Sequence, residues 1–255
     1  MISLITILCL VVALGSIALV NTIAYSLNKK WSVKISDIIT TVYAPLIFSI
    51  LNTYKKFRFV GYPDHKDELP EQYLILSNHQ SLLDIPVYMK FLWKVPLRFV
   101  TKKELGHHVP LVSAMLKAHE HALVPRTGSP AEAMRVLDKF AIRVQKNKWI
   151  PVIFPEGTRS KDGNLGTFYA AGFRRILDRA PMPVAVCALD GGWKISSLDG
   201  IARHLAHGTY RVKILKVYPA PQGKKEQVAI LDEARVLIQE QLDQWRAEDM
   251  EAGKR

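Results

Sequence analysis

The sequence predicts an α/β fold, with helices on both faces of one sheet, behind an N-terminal membrane element of two helices. Two observations predict it. Beyond residue 56, short apolar runs alternate with helical stretches, a pattern typical of a sheet that is buried on both faces. Residues 1–28 carry no charged side chain. We therefore divide the 255-residue chain into a membrane anchor with an interfacial helix at 1–56 and one domain at 57–255.

The predicted membrane element begins with a segment from Met1 to Asn28 that exceeds the ~20 apolar residues needed to cross a hydrocarbon core. A cleaved signal peptide is the alternative, but it requires a basic region before the apolar stretch, whereas Lys29 and Lys30 follow it. The positive-inside rule then places the rest of the chain on the cytoplasmic side. The second apolar run, Ile38 to Leu51, is shorter and contains Pro45, so we interpret it as an interfacial or re-entrant helix.

The predicted elements of the domain alternate along the chain. Helices are expected where apolar residues recur at spacings of three and four, and strands where apolar runs end in turn residues. The segment Ser129-Pro130-Ala131-Glu132 is a capping box with proline at the first helical position. The predicted strands are 73–76, 97–101, 121–124, 149–154, 184–189 and 210–217. The predicted helices are 83–91, 109–118, 130–146, 168–179 and 227–245.

Composition narrows the possible partners without selecting one. Lys and Arg number 35 against 23 Asp and Glu, a formal charge of +12. This excess favours anionic lipid headgroups, coenzyme A phosphates, an acidic carrier protein or nucleic acid, although no nucleic-acid recognition motif accompanies it. Cys9 and Cys187 are the two cysteines, so no disulfide framework is expected, and a reducing compartment fits. His107-His108 and His119-Glu120-His121 lack zinc-motif spacing, and we interpret them as surface or turn histidines rather than metal ligands.

The first motif with chemical potential is Asn78-His79-Gln80-Ser81-Leu82-Leu83-Asp84, directly after a predicted strand. On one continuous helix, His79 and Asp84 would lie about 140° apart. One of the two must therefore precede the helix. Because the apolar strand ends at Ser77, we predict that His79 lies in the turn and Asp84 in the first turn of the next helix. A carboxylate that accepts the imidazole Nδ1–H leaves Nε2 free to take a proton from a hydroxyl. If that hydroxyl receives an acyl group, a thioester is the natural donor, because its thiolate leaves without a strong acid. The spacing alone is more often that of a helix cap beside a structural histidine.

The second motif is Phe154-Pro155-Glu156-Gly157-Thr158-Arg159-Ser160, which also follows a predicted strand. Pro155 ends the strand, Gly157 permits close approach of the backbone, and Arg159 offers a planar fork to a phosphate. In isolation the motif would indicate a strand-ending turn with a surface ion pair. Because α/β sheets bind ligands at the carboxyl ends of their strands, the two motifs together predict a general base beside an anion-binding loop.

The motifs resemble those of the glycerolipid acyltransferases, the family that includes the 1-acyl-sn-glycerol-3-phosphate (lysophosphatidate) acyltransferases. The resemblance extends from Tyr73 to Leu189 and includes the complete string Phe-Pro-Glu-Gly-Thr-Arg-Ser. The matching segments are Asn78, His79 and Asp84 for the HxxxxD motif; Lys102-Lys103-Glu104-Leu105 with Val124-Pro125-Arg126; Phe154 to Ser160; and Pro183 to Val186.

The resemblance implies a mixed, mostly parallel sheet flanked by helices. It implies transfer of an acyl group from acyl-CoA or an acyl-carrier-protein thioester to the free hydroxyl of a lysophospholipid in the membrane, with 1-acyl-sn-glycerol-3-phosphate as the expected acceptor and no cofactor. It makes His79 the general base and Asp84 the orienting carboxylate. The acceptor-binding residues that it implies are Lys102, Arg126, Glu156, Gly157, Thr158 and Arg159.

Two departures from the family pattern leave the acceptor open. Tyr169 stands where relatives often carry lysine, and Asp190-Gly191-Gly192-Trp193 is not a typical sequence after the fourth motif. One alternative is therefore a sister acyltransferase for another lyso-lipid, such as a lyso-ornithine lipid. The other is a membrane-tethered basic protein that binds phospholipid without catalysis.

Overall fold

One mixed sheet organises the domain. The computed structural model of the protein describes residues 2–107, 109, 112–125, 127 and 129–253. The strands of these residues are β1 (Arg58–Gly61), β2 (Leu74–Ser77), β3 (Leu97–Lys102), β4 (Ala122–Val124), β5 (Ile150–Ile153), β6 (Val184–Asp190) and β7 (Thr209–Tyr218). Their order across the sheet is β1-β7-β6-β2-β5-β3-β4, and every neighbouring pair is parallel except β6 with β7. The predicted mixed, mostly parallel sheet is confirmed.

Helices connect the strands and precede the sheet. They are α1 (Ile2–Leu27), α2 (Lys29–Ile38), α3 (Ala44–Lys55), α4 (Asp84–Phe91), α5 (Val112–Ala118), α6 (Pro130–Asn147), α7 (Ala170–Arg179), α8 (Leu198–His204) and α9 (Lys224–Glu251). Each predicted strand and helix of the domain has a counterpart, with boundaries that differ by a few residues. Neither β1 nor α8 was predicted from the sequence. Strand β1 lies at the edge of the sheet and is only half-buried, so it lacks the apolar run by which buried strands are found.

The core has two halves, one on each face of the sheet. In β2, Leu74 and Leu76 pack into one half with Phe140 of α6, whereas Ile75 packs into the other with Tyr88 of α4. This division follows from the two-residue period of a strand. Both faces are covered, as the alternation of apolar strands and helices predicts.

The N-terminus of α6 differs from the predicted capping box in one respect. The Ser129 hydroxyl accepts a hydrogen bond from Ala131 N at 3.2 Å, as an N-cap should. The Glu132 carboxylate is instead 3.2 Å from Lys103 Nζ, so this side chain joins α6 to the segment after β3.

The second apolar run forms a longer helix than predicted. A π-helical turn at Ile39–Tyr43 joins α2 to α3, and the helix is continuous over Lys29–Lys55 rather than limited to Ile38–Leu51. Pro45 follows the wide π-helical turn. The extra width accommodates the proline ring and the absence of a backbone N–H at this residue. Among the described residues, this helix is the candidate for crossing a membrane by length and composition, and Gly15–Leu27 in α1 is a shorter apolar helix. The span predicted at Met1 to Asn28 begins outside the described residues and stays a prediction.

The turn between α5 and β4 attaches the N-terminal helices to the domain. His119 Nε2 lies 3.0 Å from Asp37 Oδ1 of α2, and the Glu120 carboxylate pairs with Lys29. His121 Nδ1 accepts a hydrogen bond from Phe99 N at 2.8 Å. Both histidines were predicted to be surface or turn residues: they do lie at this turn, but they are buried rather than on the surface. Burial lowers the pKa of both His119 and His121, and the nearby Arg98 guanidinium acts in the same direction.

Candidate active site

The predicted site residues meet at a cavity of about 250 Å³ where β2, β3 and β5 end. These strands are parallel, so the loops that follow them reach the same edge of the sheet. The cavity wall includes five residues predicted for the site: His79, Lys102, Gly157, Thr158 and Arg159. The apolar part of the wall is formed by Leu82, Ile85, Val100, Leu105, Val124 and Phe154. The cavity therefore combines an ionisable ring, two cations and an apolar surface.

His79 and Asp84 form the hydrogen-bonded pair that their spacing predicts. His79 lies in the turn after β2, and Asp84 is the first residue of α4. The His79 Nδ1 to Asp84 Oδ2 distance is 2.6 Å, and the carboxylate is fully buried. Asp84 also accepts hydrogen bonds from the backbone N–H groups of Gln80 at 2.8 Å and Ser81 at 3.2 Å. Because Nδ1 is occupied, Nε2 is the ring nitrogen that remains for a substrate in the cavity.

The second motif holds His79 in place. The His79 ring stacks on Phe154, with centroids 4.3 Å apart and planes 12° apart. The His79 N–H donates to Glu156 Oε1 at 2.8 Å, and the His79 carbonyl accepts from Ser160 N at 2.8 Å. Ring and backbone are thus both fixed by residues 154–160. The two motifs form one structural unit although 69 residues separate Asp84 from Phe154 in the chain.

Glu156 lies beneath the cavity rather than on its wall. Its Oε1 accepts from His79 N and its Oε2 accepts from Gly166 N at 2.8 Å, so the side chain joins two loops. The residue is only 4% exposed, and burial raises the pKa of its carboxyl, while the two backbone donors act in the opposite direction. The family resemblance implied that Glu156 binds the acceptor. That contact stays a prediction, and the bonds observed here are structural.

The loop that follows Glu156 supplies the polar side of the cavity. Gly157 has φ +64°, a left-handed conformation that disfavours any side chain. Thr158 and Arg159 follow it and are exposed at the cavity.

Lys102 and Arg159 are the cations available at this site. Both are exposed on the cavity wall, and neither makes an ion pair with any residue that the structure describes. Lys103, by contrast, is paired with Glu132. Arg126, the third predicted cation, lies outside the described residues. Two unpaired positive charges beside one cavity favour an anionic ligand.

Two buried amides lie on either side of His79: Asn78, which was named in the first motif without a role, and Gln80, which was given none. Asn78 Nδ2 donates to Leu189 O at 2.8 Å, and Asn78 Oδ1 accepts from Leu189 N at 2.8 Å. Gln80 Oε1 accepts from Gly192 N at 3.0 Å. These bonds fasten the histidine turn to the end of β6. Polar residues directly after an apolar strand were the signal available for them.

Tyr169, one of the two departures from the family pattern, does not reach the site. It precedes α7, is 63% exposed and is not part of the cavity wall. Its replacement of a lysine therefore removes no charge from the wall described here.

The comparison with protein families decides the assignment. A family model described as Acyltransferase matches residues 63–190, half of the chain, and this region includes the histidine motif and the Glu-Gly-Thr-Arg loop. The chain belongs to the Acyltransferase family. A crystal structure of the 1-acyl-sn-glycerophosphate acyltransferase PlsC from Thermotoga maritima matches with a TM-score of 0.61. That match covers 86% of this chain and 81% of the other at 19% identity, which supports the fold.

Curated relatives carry names of the same class. A 1-acyl-sn-glycerol-3-phosphate acyltransferase of Cocos nucifera is 33% identical over 150 residues, 58% of this chain and 42% of the relative. One from Brassica napus chloroplasts is 33% identical over 172 residues, and one from Helicobacter pylori is 30% identical over 122 residues. The matches cover 66% and 48% of this chain, and 46% and 50% of those relatives. The chain thus spans about half the length of the curated relatives that it matches.

Proposed function

We propose that the protein transfers a fatty acyl group from an acyl thioester to the free hydroxyl of 1-acyl-sn-glycerol-3-phosphate, which yields phosphatidate. The observation that carries this proposal is the His79–Asp84 pair on a cavity whose wall is partly apolar and bears Lys102 and Arg159, two cations that form no ion pair with a described residue. The names of the relatives support the same acceptor.

His79 acts as the general base in the proposed reaction. Its Nε2 takes the proton of the acceptor hydroxyl while the oxygen forms a bond to the thioester carbonyl carbon. The carbon–sulfur bond then breaks, and the departing thiolate takes the proton back from the imidazolium. Asp84 keeps the ring in the required tautomer and stabilises its positive charge. General-base catalysis of this kind contributes ~10²–10⁴ in rate.

The acceptor phosphate binds at the positive side of the cavity. Lys102 and Arg159 supply the charges, and the guanidinium can grip two phosphate oxygens at once. The Thr158 hydroxyl and the backbone at Gly157 supply further donors, and Arg126 is the third predicted cation. The apolar wall takes the hydrocarbon part of a substrate. The donor is either acyl-CoA or an acyl-carrier-protein thioester. Its thiolate leaves without a strong acid, and the proposed route uses no cofactor.

The N-terminal helices hold the domain at the cytoplasmic face of a membrane in this proposal. Large apolar side chains are exposed along them, where an aqueous protein would bury such groups. The exposed set includes Leu19, Ile23, Leu27, Trp31, Val42 and Leu46. Lys29 and Lys30 support the cytoplasmic side by the positive-inside rule. Protease added to that side should cut the domain, and complete protection would reverse the topology.

A product assay tests the proposal. Membranes that contain the protein receive a labelled acyl thioester and one acceptor at a time: 1-acyl-sn-glycerol-3-phosphate, lysophosphatidylethanolamine or a lyso-ornithine lipid. Labelled phosphatidate that forms only with active protein supports the proposal. Product from another acceptor alone would favour the sister acyltransferase, and phospholipid binding without any acyl transfer would favour the non-enzymatic alternative.

A further inference from the structure

A buried tyrosine extends the His79–Asp84 pair by one residue. Tyr210 of β7 is fully buried, and its hydroxyl donates a hydrogen bond to Asp84 Oδ1, while Oδ2 holds His79 Nδ1. We propose that Tyr210 is a positioning residue of the acyl-transfer reaction, one that sets how strongly Asp84 stabilises protonated His79. The role in acyl transfer rests on the proposed function.

A glycine after β6 makes room for this hydroxyl. A Cβ on Gly192 would lie 2.1 Å from Tyr210 Oη, a distance that no side chain could adopt without displacing the tyrosine. Gly191 has φ +92°, and a Cβ there would lie 1.9 Å from Thr209 O, so the backbone of β7 requires this second glycine. Gly192, which belongs to the departure from the family pattern at 190–193, is therefore explained by the approach of Tyr210 to Asp84.

The same segment is fastened to the histidine turn. Gly192 N donates to Gln80 Oε1, and Gln80 N donates to Asp84 Oδ2. Gly192 thus contacts the tyrosine that binds Asp84 and also the residue that follows His79. Gly192 therefore links the tyrosine side of the Asp84 carboxylate to its histidine side.

The electrostatic setting keeps Tyr210 a donor. Burial, together with the Asp84 carboxylate, raises the pKa of Tyr210 well above its usual range, so the hydroxyl retains its proton at any working pH. Four other described ionisable groups face Asp84 and Tyr210, each from a different element. They are His79 from the turn after β2, Tyr88 from α4, Glu156 from the loop after β5 and Asp190 from β6. The Asp190 carboxylate is itself 3.6 Å from the Arg211 guanidinium. All of these remain when only the Tyr210 hydroxyl is removed.

Removal of the hydroxyl should change the pH dependence of catalysis. In Tyr210→Phe, Asp84 keeps three donors and carries more uncompensated negative charge, so it holds the imidazolium more tightly. The acid limb of the kcat/KM profile should move to higher pH by ~0.5–1 unit. The value of kcat at the optimum should fall roughly fivefold, because one hydrogen bond that fixes the carboxylate is lost. KM for both substrates should stay unchanged, since Tyr210 is not on the cavity wall.

The experiment compares Tyr210→Phe with Tyr88→Phe in the full-length protein. Tyr88 is also fully buried in the same half of the core, but its hydroxyl makes no hydrogen bond to Asp84. The first readout is the pH profile of acyl transfer. The second is the pH dependence of His79 modification by diethyl pyrocarbonate, followed by mass spectrometry of the His79 peptide. This second readout needs no substrate, so it tests the coupling of Tyr210 to His79 even if the proposed acyl transfer is not observed.

A shift of both readouts in Tyr210→Phe, with none in Tyr88→Phe, supports the proposal. Unchanged readouts in Tyr210→Phe, or an equal shift in Tyr88→Phe, overturn it. If Tyr210→Phe does not fold, Gly192→Ala provides the second test because its methyl group displaces the hydroxyl. That variant should then shift His79 modification in the same direction, and an unshifted profile in folded Gly192→Ala overturns the proposal.

Discussion

Glu156 offers a sharp test of structural against substrate-binding roles. In Glu156→Gln, one amide oxygen must replace two carboxylate oxygens that accept from His79 N and Gly166 N. One charge-assisted bond is lost, and an NH₂ group then faces a backbone N–H. A bond to a charged acceptor contributes about 1.5–3 kcal/mol, and the relief of a buried charge offsets part of this, so we expect a loss of about 1–2 kcal/mol. For a domain of this size, that lowers Tm by roughly 2–8 °C.

Thermal unfolding and steady-state kinetics together check this prediction. Because Glu156 lies off the cavity wall, kcat should fall more than acceptor KM rises. The control is Glu132→Gln, since Glu132 makes an exposed pair with Lys103, and such pairs contribute about 0–1 kcal/mol. An unchanged Tm in Glu156→Gln with only a raised acceptor KM would refute the structural role and support direct contact with the acceptor.

Three further predictions concern the phosphate, the buried histidines and membrane attachment. Arg159→Ala should lower kcat/KM for 1-acyl-sn-glycerol-3-phosphate about 10–100-fold and leave kcat/KM for an acceptor without a phosphomonoester unchanged. Arg159→Lys should recover only part of the lost kcat/KM, because an ammonium group lacks the planar fork. An unchanged preference between the two acceptors in Arg159→Ala would contradict the phosphate site. The folded-state pKa values of His119 and His121 are lowered, so the unfolded chain binds more protons below about pH 6.5, and stability should fall on acidification. The Asn side chain in His121→Asn can still accept a hydrogen bond from Phe99 N but does not titrate. The drop in Tm between about pH 7.5 and about 5.5 should therefore be smaller in this variant than in the wild type. A drop equal to that of the wild type would exclude His121 as its source. Deletion of residues 1–28 should leave the protein in the membrane fraction, because the helix at Lys29–Lys55 remains, and a fully soluble product in low salt would contradict this.

Much of the sheet is predictable because buried strands carry their own signal. Leu74 to Leu76 and Val184 to Val186 are apolar on both faces, and turns or helices separate them in the chain. The His79–Asp84 pairing is also local. Helical periodicity required one of the two residues to precede the helix, the strand ending at Ser77 identified it as the histidine, and the structure places it there.

The contacts that the sequence analysis missed depend on long-range packing. Tyr210 meets Asp84 across 126 residues through the antiparallel pairing of β6 and β7, which no local pattern announces. The inward direction of the Glu156 carboxylate depends on where the loop at Gly166 passes. Likewise, Pro45 indicated an interruption of the second apolar run, but a π-helical turn carries the helix through it.

The most direct test of the central claim is the rate of phosphatidate formation by purified wild-type and His79→Ala proteins. We expect the variant to keep its Tm within a few degrees and to lose ~10²–10⁴ or more in kcat/KM, because the base that takes the hydroxyl proton is gone. Asp84→Asn should lose nearly as much. Wild-type rates of acyl transfer in folded His79→Ala would show that the His79–Asp84 pair does not carry the reaction.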